Sequence, residues 1–458
     1  MAEPEIKQDQ VTQPLLDQEP QKKGGIFGST FNMCSAIMGA GILTLPSAFS
    51  QLGVGLGIGM IVFFAIFSGF SCMMLYKIYS HYGETSYSGL SKKLIGDKFE
   101  WVVDLIQLLY STGACCGYTI IIGNELAIFM SYMFEETINP DIHWIIERPF
   151  ILSLITLVCI LPPALLKHMD SLKFTSFVGV ACVLYLTVVM IINSSWSSPC
   201  ELADIADYTC KAGKCMIESS AHLVEYNGLE NCTMLCEGCA PDPVKTEIQN
   251  LIFSTDIFLA MPLFCFGCCC QVQFLPIVDE LNKPTTKRVS AVVIMTYIMI
   301  IVIYSINAMG GYFSFCGYVT SNILDSFPAE NILILISRIT LSVTLCFCFP
   351  LYSYSIRSVA LKLMRVKDQA YWKVALTTVV IVLLILTVAL CFTDLGTVLG
   401  LTGAIFGSCL MAIFPAILFW KYIKETQPKG KYFYYSACVF YIVMGAIIAI
   451  LGSVTTFM

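Results

Sequence analysis

The sequence has few charged residues for its length. Of its 458 residues, 13% are charged, whereas a soluble globular protein carries roughly 25%. Basic residues form no extended patch, so we expect no nucleic-acid partner. The Gly-x-Ser-x-Gly, His-Glu-x-x-His and Gly-Lys-Ser/Thr patterns are absent, as is any metal-ligand spacing among the four histidines. We therefore expect neither an enzyme nor an ATP-driven pump, and no metal or organic cofactor.

Long apolar runs are what the sequence has in excess. Hydrophobic residues make up 57% of the chain, and runs of roughly 18 to 30 residues can cross a hydrocarbon core of about 30 Å. Because backbone in lipid must satisfy its own hydrogen bonds, these runs predict helices. The expected fold is an all-α polytopic membrane protein with about eleven transmembrane helices. The predicted spans are 27–49, 53–79, 101–134, 149–166, 173–193, 251–277, 289–316, 330–356, 372–392, 395–420 and 433–457.

The distribution of Lys and Arg predicts the orientation. With the N-terminus in the cytoplasm, 21 basic residues fall in cytoplasmic segments and four in segments on the other face. Basic residues near span ends are retained on the cytoplasmic side. We expect a cytoplasmic N-terminus and, from the odd number of spans, an extracellular or lumenal C-terminus.

Two polar segments flank or interrupt the membrane domain. Residues 1–25 predict a disordered cytosolic tail and not a signal peptide. Residues 194–247 predict an extracellular or lumenal loop whose six cysteines favour disulfides over zinc, because that compartment is oxidising. Glycosylation is expected at Asn231 and less readily at Asn193, which lies against the membrane. The loop cysteines are Cys200, Cys210, Cys215, Cys232, Cys236 and Cys239.

Glycine interrupts the first span. Gly39 and Gly41 lie in the middle of the stretch FNMCSAIMGAGILTLP, and glycine costs about 1 kcal/mol relative to alanine inside a helix. One interpretation is close packing between helices. The other is an unwound segment whose free main-chain groups bind an amino acid.

A second interruption in the sixth span favours the unwound segment. Pro262 removes a backbone donor there, and Gly267 follows five residues later. In an inverted repeat of five spans plus five, with one extra helix, the first and sixth spans are equivalent. Paired breaks at those positions indicate the central binding site of a transporter.

Four stretches resemble the amino acid/auxin permease family, in particular its neutral amino acid transporters, which include sodium-coupled and vacuolar members. They are residues 31–46, GACCGYTIIIGNEL at 113–126, PLFCFGCCCQVQFLPIVDELNKPTTKR at 262–288, and FPLYSYSIRS at 349–358. The resemblance implies that residues 26–458 form an amino acid transporter domain. It also implies a substrate cleft between the first, third, sixth and eighth spans.

The resemblance also implies which residues bind the substrate. Main-chain groups of the first break would hold its amino and carboxylate groups, the sixth-span segment would form the facing break, and two tyrosines would contact its side chain. These residues are Met38, Gly39, Ala40, Gly41 and Ile42, then Pro262, Leu263 and Phe264, and finally Tyr118 and Tyr352.

The coupling ion is less clear from the resemblance. Sodium-coupled members have Asn-Ala-Ile before the first break, where this chain has Ser35-Ala36-Ile37, and a hydroxyl in the eighth span where this chain has Cys346 and Cys348. Sodium prefers oxygen ligands, which thiols replace poorly. Ser35 and Thr344 still offer oxygens, so both Na⁺ and H⁺ remain candidates.

Charged residues inside spans are costly and therefore functional candidates. Glu125, Asp256 and Arg338 are all expected in the outer halves of their spans, where the geometry allows a salt-bridged cluster. They predict either a gate or static ion pair, or proton coupling through Glu125 or Asp256. Asp104, near a cytoplasmic span end, is expected to be solvated.

The sequence thus predicts a secondary active transporter of neutral L-amino acids that works by alternating access. The alternative is an amino acid sensor that signals without net transport. Expected partners are small neutral amino acids and membrane lipids, and the expected state is a monomer. A glycosylated, disulfide-bearing loop fits the plasma membrane and the lysosomal or vacuolar membrane equally.

Overall fold

In the computed structural model, the described residues are 24–134, 144–165, 172–196, 248–364 and 371–457, with three short strands between 208 and 225. Most of the predicted cytosolic tail and the loop residues Asn231, Cys200, Cys232, Cys236 and Cys239 lie outside the described residues. Within the described part of the chain, the membrane domain consists of helices joined by short non-helical segments, which confirms the predicted fold class.

Fifteen α-helices are present in the described ranges. Those of the first half are α1 (Ile26–Ile37), α2 (Gly41–Tyr82), α3 (Tyr87–Leu94), α4 (Asp97–Phe134), α5 (Arg148–Ile155), α6 (Leu161–Ala164) and α7 (Leu172–Trp196). Those of the second half are α8 (Ile257–Cys268), α9 (Gln271–Glu280), α10 (Thr286–Phe315), α11 (Ile332–Leu363), α12 (Tyr371–Cys391), α13 (Leu395–Leu401), α14 (Phe414–Thr426) and α15 (Lys431–Phe457). One π-helical turn joins α5 to α6, and two lie between α13 and α14.

Nine helical segments among the described residues are long and apolar enough to cross a membrane, of which one combines α8 with α9 and one combines α13 with α14. Two shorter apolar helical segments accompany them. Helix α2 has 42 residues, about 60 Å at 1.5 Å per residue, which is twice the thickness of a hydrocarbon core. Gly53 divides it, because its φ of 76° is not helical. A Cβ there would lie 2.8 Å from the carbonyl oxygen of Gln249, so only glycine fits. The count of eleven crossings remains a prediction.

The predicted loop at 194–247 contains a small antiparallel sheet. Its strands are β1 (Tyr208–Lys211), β2 (Lys214–Ser219) and β3 (His222–Glu225), in the order β1-β2-β3. Cys210 and Cys215 are register partners across β1 and β2. Disulfides within the loop remain a prediction. Cys316, just after α10, forms a disulfide that the sequence analysis did not predict.

Helices α4 and α11 run antiparallel and are joined by charged side chains at both ends. Near the start of α4, the Nζ atom of Lys362 lies 2.6 Å from Asp104 and 2.7 Å from Glu100. Near its other end, Arg338 pairs with Glu125, and both side chains are buried. Asp104 was expected to be solvated, but it is only 2% exposed. That prediction was wrong, because the long side chain of Lys362 reaches it from the neighbouring helix.

Candidate functional site

The first break lies where the glycines predicted it. Helix α1 ends at Ile37, Met38 has φ −76° and ψ 63°, and α2 begins at Gly41. Met38 N–H donates to the carbonyl of Cys34, and Gly39 N–H donates to that of Ile37, both at 2.8 Å. The non-helical residues are therefore 38–40, while Gly41 and Ile42 form the first turn of α2.

The second break does not lie at Pro262, Leu263 and Phe264, so its predicted position was wrong. These residues belong to the continuous helix α8, and the chain leaves helical geometry at Cys269 and Cys270. Proline removes only one backbone donor, and the helix tolerates this loss here because neighbouring helices enclose it.

The three predicted residues contact helices away from the first break. A Cβ at Gly403 would lie 2.1 Å from the carbonyl oxygen of Pro262, and one at Gly452 would lie 2.5 Å from the Pro262 ring. Phe264 stacks on Phe64, with 6.2 Å between the ring centroids. Pro262 and Phe264 therefore pack α8 against neighbouring helices.

Hydroxyl groups from three other helices bind the carbonyls that the second break leaves free. Ser68 donates to Cys268 O at 2.9 Å, and Tyr297 donates to Ser68 at 2.6 Å. Tyr110 donates to Cys269 O at 3.4 Å. The break is located where these donors lie, which explains why the proline does not mark it.

The helix ends next to the two breaks approach each other at a pair of glycines. A Cβ built on Gly41 would lie 2.9 Å from the Cα of Gly267. The hydroxyl of the fully buried Tyr304 lies 3.0 Å from the carbonyl oxygen of Ile37 and 2.9 Å from that of Gly267. One side chain thus bridges the C-terminal ends of α1 and α8.

Tyr118 and Tyr352 lie at the first break, on facing positions of α4 and α11. A Cβ at Gly39 would lie 2.6 Å from the Tyr118 hydroxyl oxygen. Tyr352 donates to the carbonyl of Ala36 at 3.3 Å, and the two rings meet edge to face with 5.6 Å between centroids. The structure therefore brings both tyrosines to the predicted main-chain cradle.

The two oxygen-bearing candidates for ion coupling also lie together. A Cβ built on Gly179 of α7 would be 3.3 Å from Ser35 Oγ and 3.3 Å from Thr344 Cγ2. Ser35 is in the last turn of α1, beside the first break. The Thr344 hydroxyl donates to Thr340 O at 2.8 Å, which leaves its oxygen lone pairs able to accept.

The predicted cluster of membrane charges forms, but its third member is Asp325 and not Asp256. Glu125 and Arg338 are paired as expected. Asp256 does not join them, because it lies exposed before the first turn of α8 and accepts a hydrogen bond from Ser254 at 2.8 Å. Asp325 takes its place, 3.7 Å from Arg338. Asp325 lies in a short segment between two helices, where no sequence pattern marks it.

Asn193, the less favoured glycan position, is already engaged. Its side-chain nitrogen donates to Val189 O at 2.9 Å, and its oxygen accepts from Asn331 at 2.8 Å. A glycan on that nitrogen would disrupt the first of these bonds, which argues for Asn231 as the acceptor.

Two facing helix breaks inside a bundle of apolar helices define a membrane transporter of the broken-helix class. The family model described as "Transmembrane amino acid transporter protein" matches residues 22–458. The chain belongs to this family, which is the amino acid/auxin permease family that the sequence motifs indicated.

Two known proteins show the extent of the similarity. The chain is 25% identical over 422 residues to sodium-coupled neutral amino acid transporter 7 of Danio rerio, covering 89% of this chain and 81% of that one. The crystal structure of MhsT in complex with L-phenylalanine superposes with a TM-score of 0.55 at 14% identity, covering 95% of this chain and 99% of the other. The latter similarity supports the fold alone.

We expect Tyr304→Phe to reduce transport strongly while leaving the protein folded. Losing one neutral hydrogen bond costs about 0.5–1.5 kcal/mol of stability, but here the lost hydroxyl bridges both breaks. The measurement is amino acid uptake together with thermal unfolding. Tyr185→Phe is the matched control, because its hydroxyl donates to Leu333 O at a distance of 3.1 Å, at the start of α11 and remote from both breaks. Equal losses of uptake in both variants would contradict the assignment.

Proposed function

We propose that this protein is a secondary active transporter of neutral L-amino acids. The observation that carries the proposal is the contact between the two breaks at Gly41 and Gly267. Membership of an amino acid transporter family and the name of the fish relative support the substrate class.

The main chain at the first break suits an amino acid's charged groups. The N-terminus of α2 presents free N–H groups and the positive end of a helix dipole, which favour a carboxylate. The C-terminus of α1 presents carbonyls, which favour an ammonium. Tyr118 and Tyr352 border this region, and we propose that they contact the substrate side chain.

We further propose that sodium drives transport and binds between α1, α7 and α11. The hydroxyls of Ser35 and Thr344 would supply ligands there, because a hard cation requires oxygen. The sodium coupling named for the Danio rerio relative supports this ion. Gly179 leaves the space between the two side chains free.

The test is radiolabelled uptake of an amino acid panel into proteoliposomes under an inward sodium gradient, an inward proton gradient, or neither. We expect uptake of small neutral amino acids under the sodium gradient. Saturable binding without flux under every gradient would overturn the transporter proposal and favour the sensor. Uptake driven only by protons would overturn the choice of ion.

Ser35→Ala should raise the sodium concentration needed for half-maximal uptake by about tenfold, because one oxygen ligand is lost. Thr344→Val should act in the same direction. Thr340→Val is the control, since its exposed hydroxyl bonds only to backbone of its own helix turn. An unchanged sodium dependence in both Ser35 and Thr344 variants would contradict this site.

We place the N-terminus in the cytoplasm and the loop at 194–247 outside the cell or in a lumen. The bias of basic residues carries this orientation. The end of the bundle that contains Glu125 and Arg338 is then the outer end, and the end that contains Asp104 and Lys362 is the inner end.

A further inference from the structure

A short segment covers the outer ends of α4 and α11. Residues 320–327, which we call the outer lid, lie in the segment that connects α10 to α11. They contain one 3₁₀ turn at Ile323–Ser326. Leu324 and Phe327 of the outer lid are buried, and Phe327 packs edge to face on Phe315 with 4.8 Å between ring centroids. The outer lid therefore seals this end of the bundle with apolar side chains.

The outer lid is bound to the buried ion pair by three hydrogen bonds. Arg338 donates to Leu324 O at 2.6 Å and to Phe327 O at 3.2 Å. Asn322 donates from its side chain to Glu125 at 2.6 Å. Glu125 and Arg338 consequently hold each other and also hold the lid closed.

Asp325 is the one lid residue that adds a charge to this centre. Its side chain is 26% exposed, but its Oδ1 atom is buried, lies 3.7 Å from Arg338 Nη1, and accepts no hydrogen bond from the described residues. The guanidinium is already engaged by Glu125 and by two lid carbonyls. Two carboxylates thus compete for one cation, and Glu125 has the better contacts.

The other charged groups around Asp325 offset its negative charge only in part. Arg148, at the start of α5, donates to Asn124 at 2.6 Å and to Ala389 O at 2.8 Å. Asp394, before α13, carries a further negative charge and accepts from Ser321 of the lid at 2.6 Å. An ionised Asp325 would therefore compete with Glu125 for Arg338, while Arg148 is engaged by Asn124 and Ala389.

We propose that the outer lid is a proton-sensitive gate in which Asp325 is protonated when the lid is closed and ionised when the lid is open. This gate deepens the proposed transport function and rests on it. The role is a positioning one, because Asp325 acts on the lid and not on the substrate.

The sign of the pH effect follows from the charge environment. Burial and the neighbouring Glu125 carboxylate raise the pKa of Asp325 to about 7 in the closed lid, and the two arginines offset this only in part. In an open lid the partly exposed carboxyl becomes fully exposed and separates from Glu125, and the pKa of a solvated aspartate is about 4. Closing therefore takes up a proton between about pH 4 and 7, so outer acidification favours the closed lid. That advantage is complete below about pH 4 and is lost above about pH 7.

The size of the effect follows from linkage. The closed-to-open ratio changes by up to tenfold for each pH unit inside that window, and by about a thousandfold across all of it. Outside the window the ratio does not depend on Asp325.

Hydrogen exchange of residues 320–327 in the full-length protein in liposomes tests the gate, after correction for intrinsic exchange rates. We expect protection of the lid to fall by close to tenfold per unit between pH 5 and 6.5 and to level off above pH 7. Asp325→Asn should remove this slope and keep the lid protected at all pH values. Asp256→Asn is the matched control, since Asp256 is outside the cluster, and it should retain the slope.

The outcomes separate this inference from the proposed function. A wild-type lid without a pH-dependent slope, or a slope that survives in Asp325→Asn, would overturn the gate. Because lid exchange needs no substrate, a slope that disappears in Asp325→Asn would support the gate even if no amino acid were transported. In vesicles that do transport, lowering the outer pH from 7.5 to 5.5 should slow uptake in the wild type and not in Asp325→Asn.

Discussion

Arg338→Met should destabilise the folded protein by about 3–5 kcal/mol, because it leaves the Glu125 carboxylate buried without its cation. The same change removes both bonds from Arg338 to the outer lid. We therefore expect loss of uptake together with lower thermal stability in detergent. Among the substitutions considered, this one should have the largest effect on folding.

A compensating variant distinguishes charge burial from general disruption. Glu125→Gln combined with Arg338→Met removes both charges and should recover part of the lost stability, since no isolated charge remains buried. Lys429→Met is a suitable control, because Lys429 is exposed. A double variant as unstable as the single one would show that the contacts of the guanidinium, and not the isolated charge, account for the loss.

Gly41→Ala should abolish transport more completely than Gly39→Ala. The new Cβ at Gly41 would lie 2.9 Å from the backbone Cα of Gly267, and neither backbone can retreat without separating the two breaks. At Gly39 the nearest atom is the hydroxyl at the end of the Tyr118 side chain. Overpacking of this kind costs about 1–3 kcal/mol, which corresponds to a loss of roughly fivefold to 150-fold in the population of the affected state.

The measurement is uptake at matched protein levels, with Gly59→Ala as the control because a Cβ there meets open space. Tyr118→Phe should partly restore the Gly39→Ala variant, since it removes the closest atom. It should not restore Gly41→Ala. Normal uptake by Gly41→Ala would refute the idea that the two breaks must touch during transport.

The features that the sequence predicts correctly are those that local composition determines. Apolar runs predict the helical membrane fold, and Gly39 and Gly41 predict the first break. The Glu125–Arg338 pair follows because two opposite charges at the same depth in a membrane have little else to bind.

The features that it misses depend on contacts between distant helices. The second break lies at Cys269 and Cys270 because Ser68, Tyr110 and Tyr297 bind the freed carbonyls there, and no local signal marks those three residues. Asp325 shows the same limitation. It belongs to the charge centre only because the outer lid folds back over α11.

The two ion pairs between α4 and α11 also determine how this protein matches its bilayer. Asp104 and Glu125 are 21 residues apart on one continuous helix, which places them about 30 Å apart along its axis. That distance equals a typical hydrocarbon thickness. The paired helices therefore have a fixed length, with one ion pair at each end of a stretch as long as the hydrocarbon core is thick. A membrane of different thickness must therefore stretch or thin its lipids, or the two helices must tilt, because neither helix can shorten.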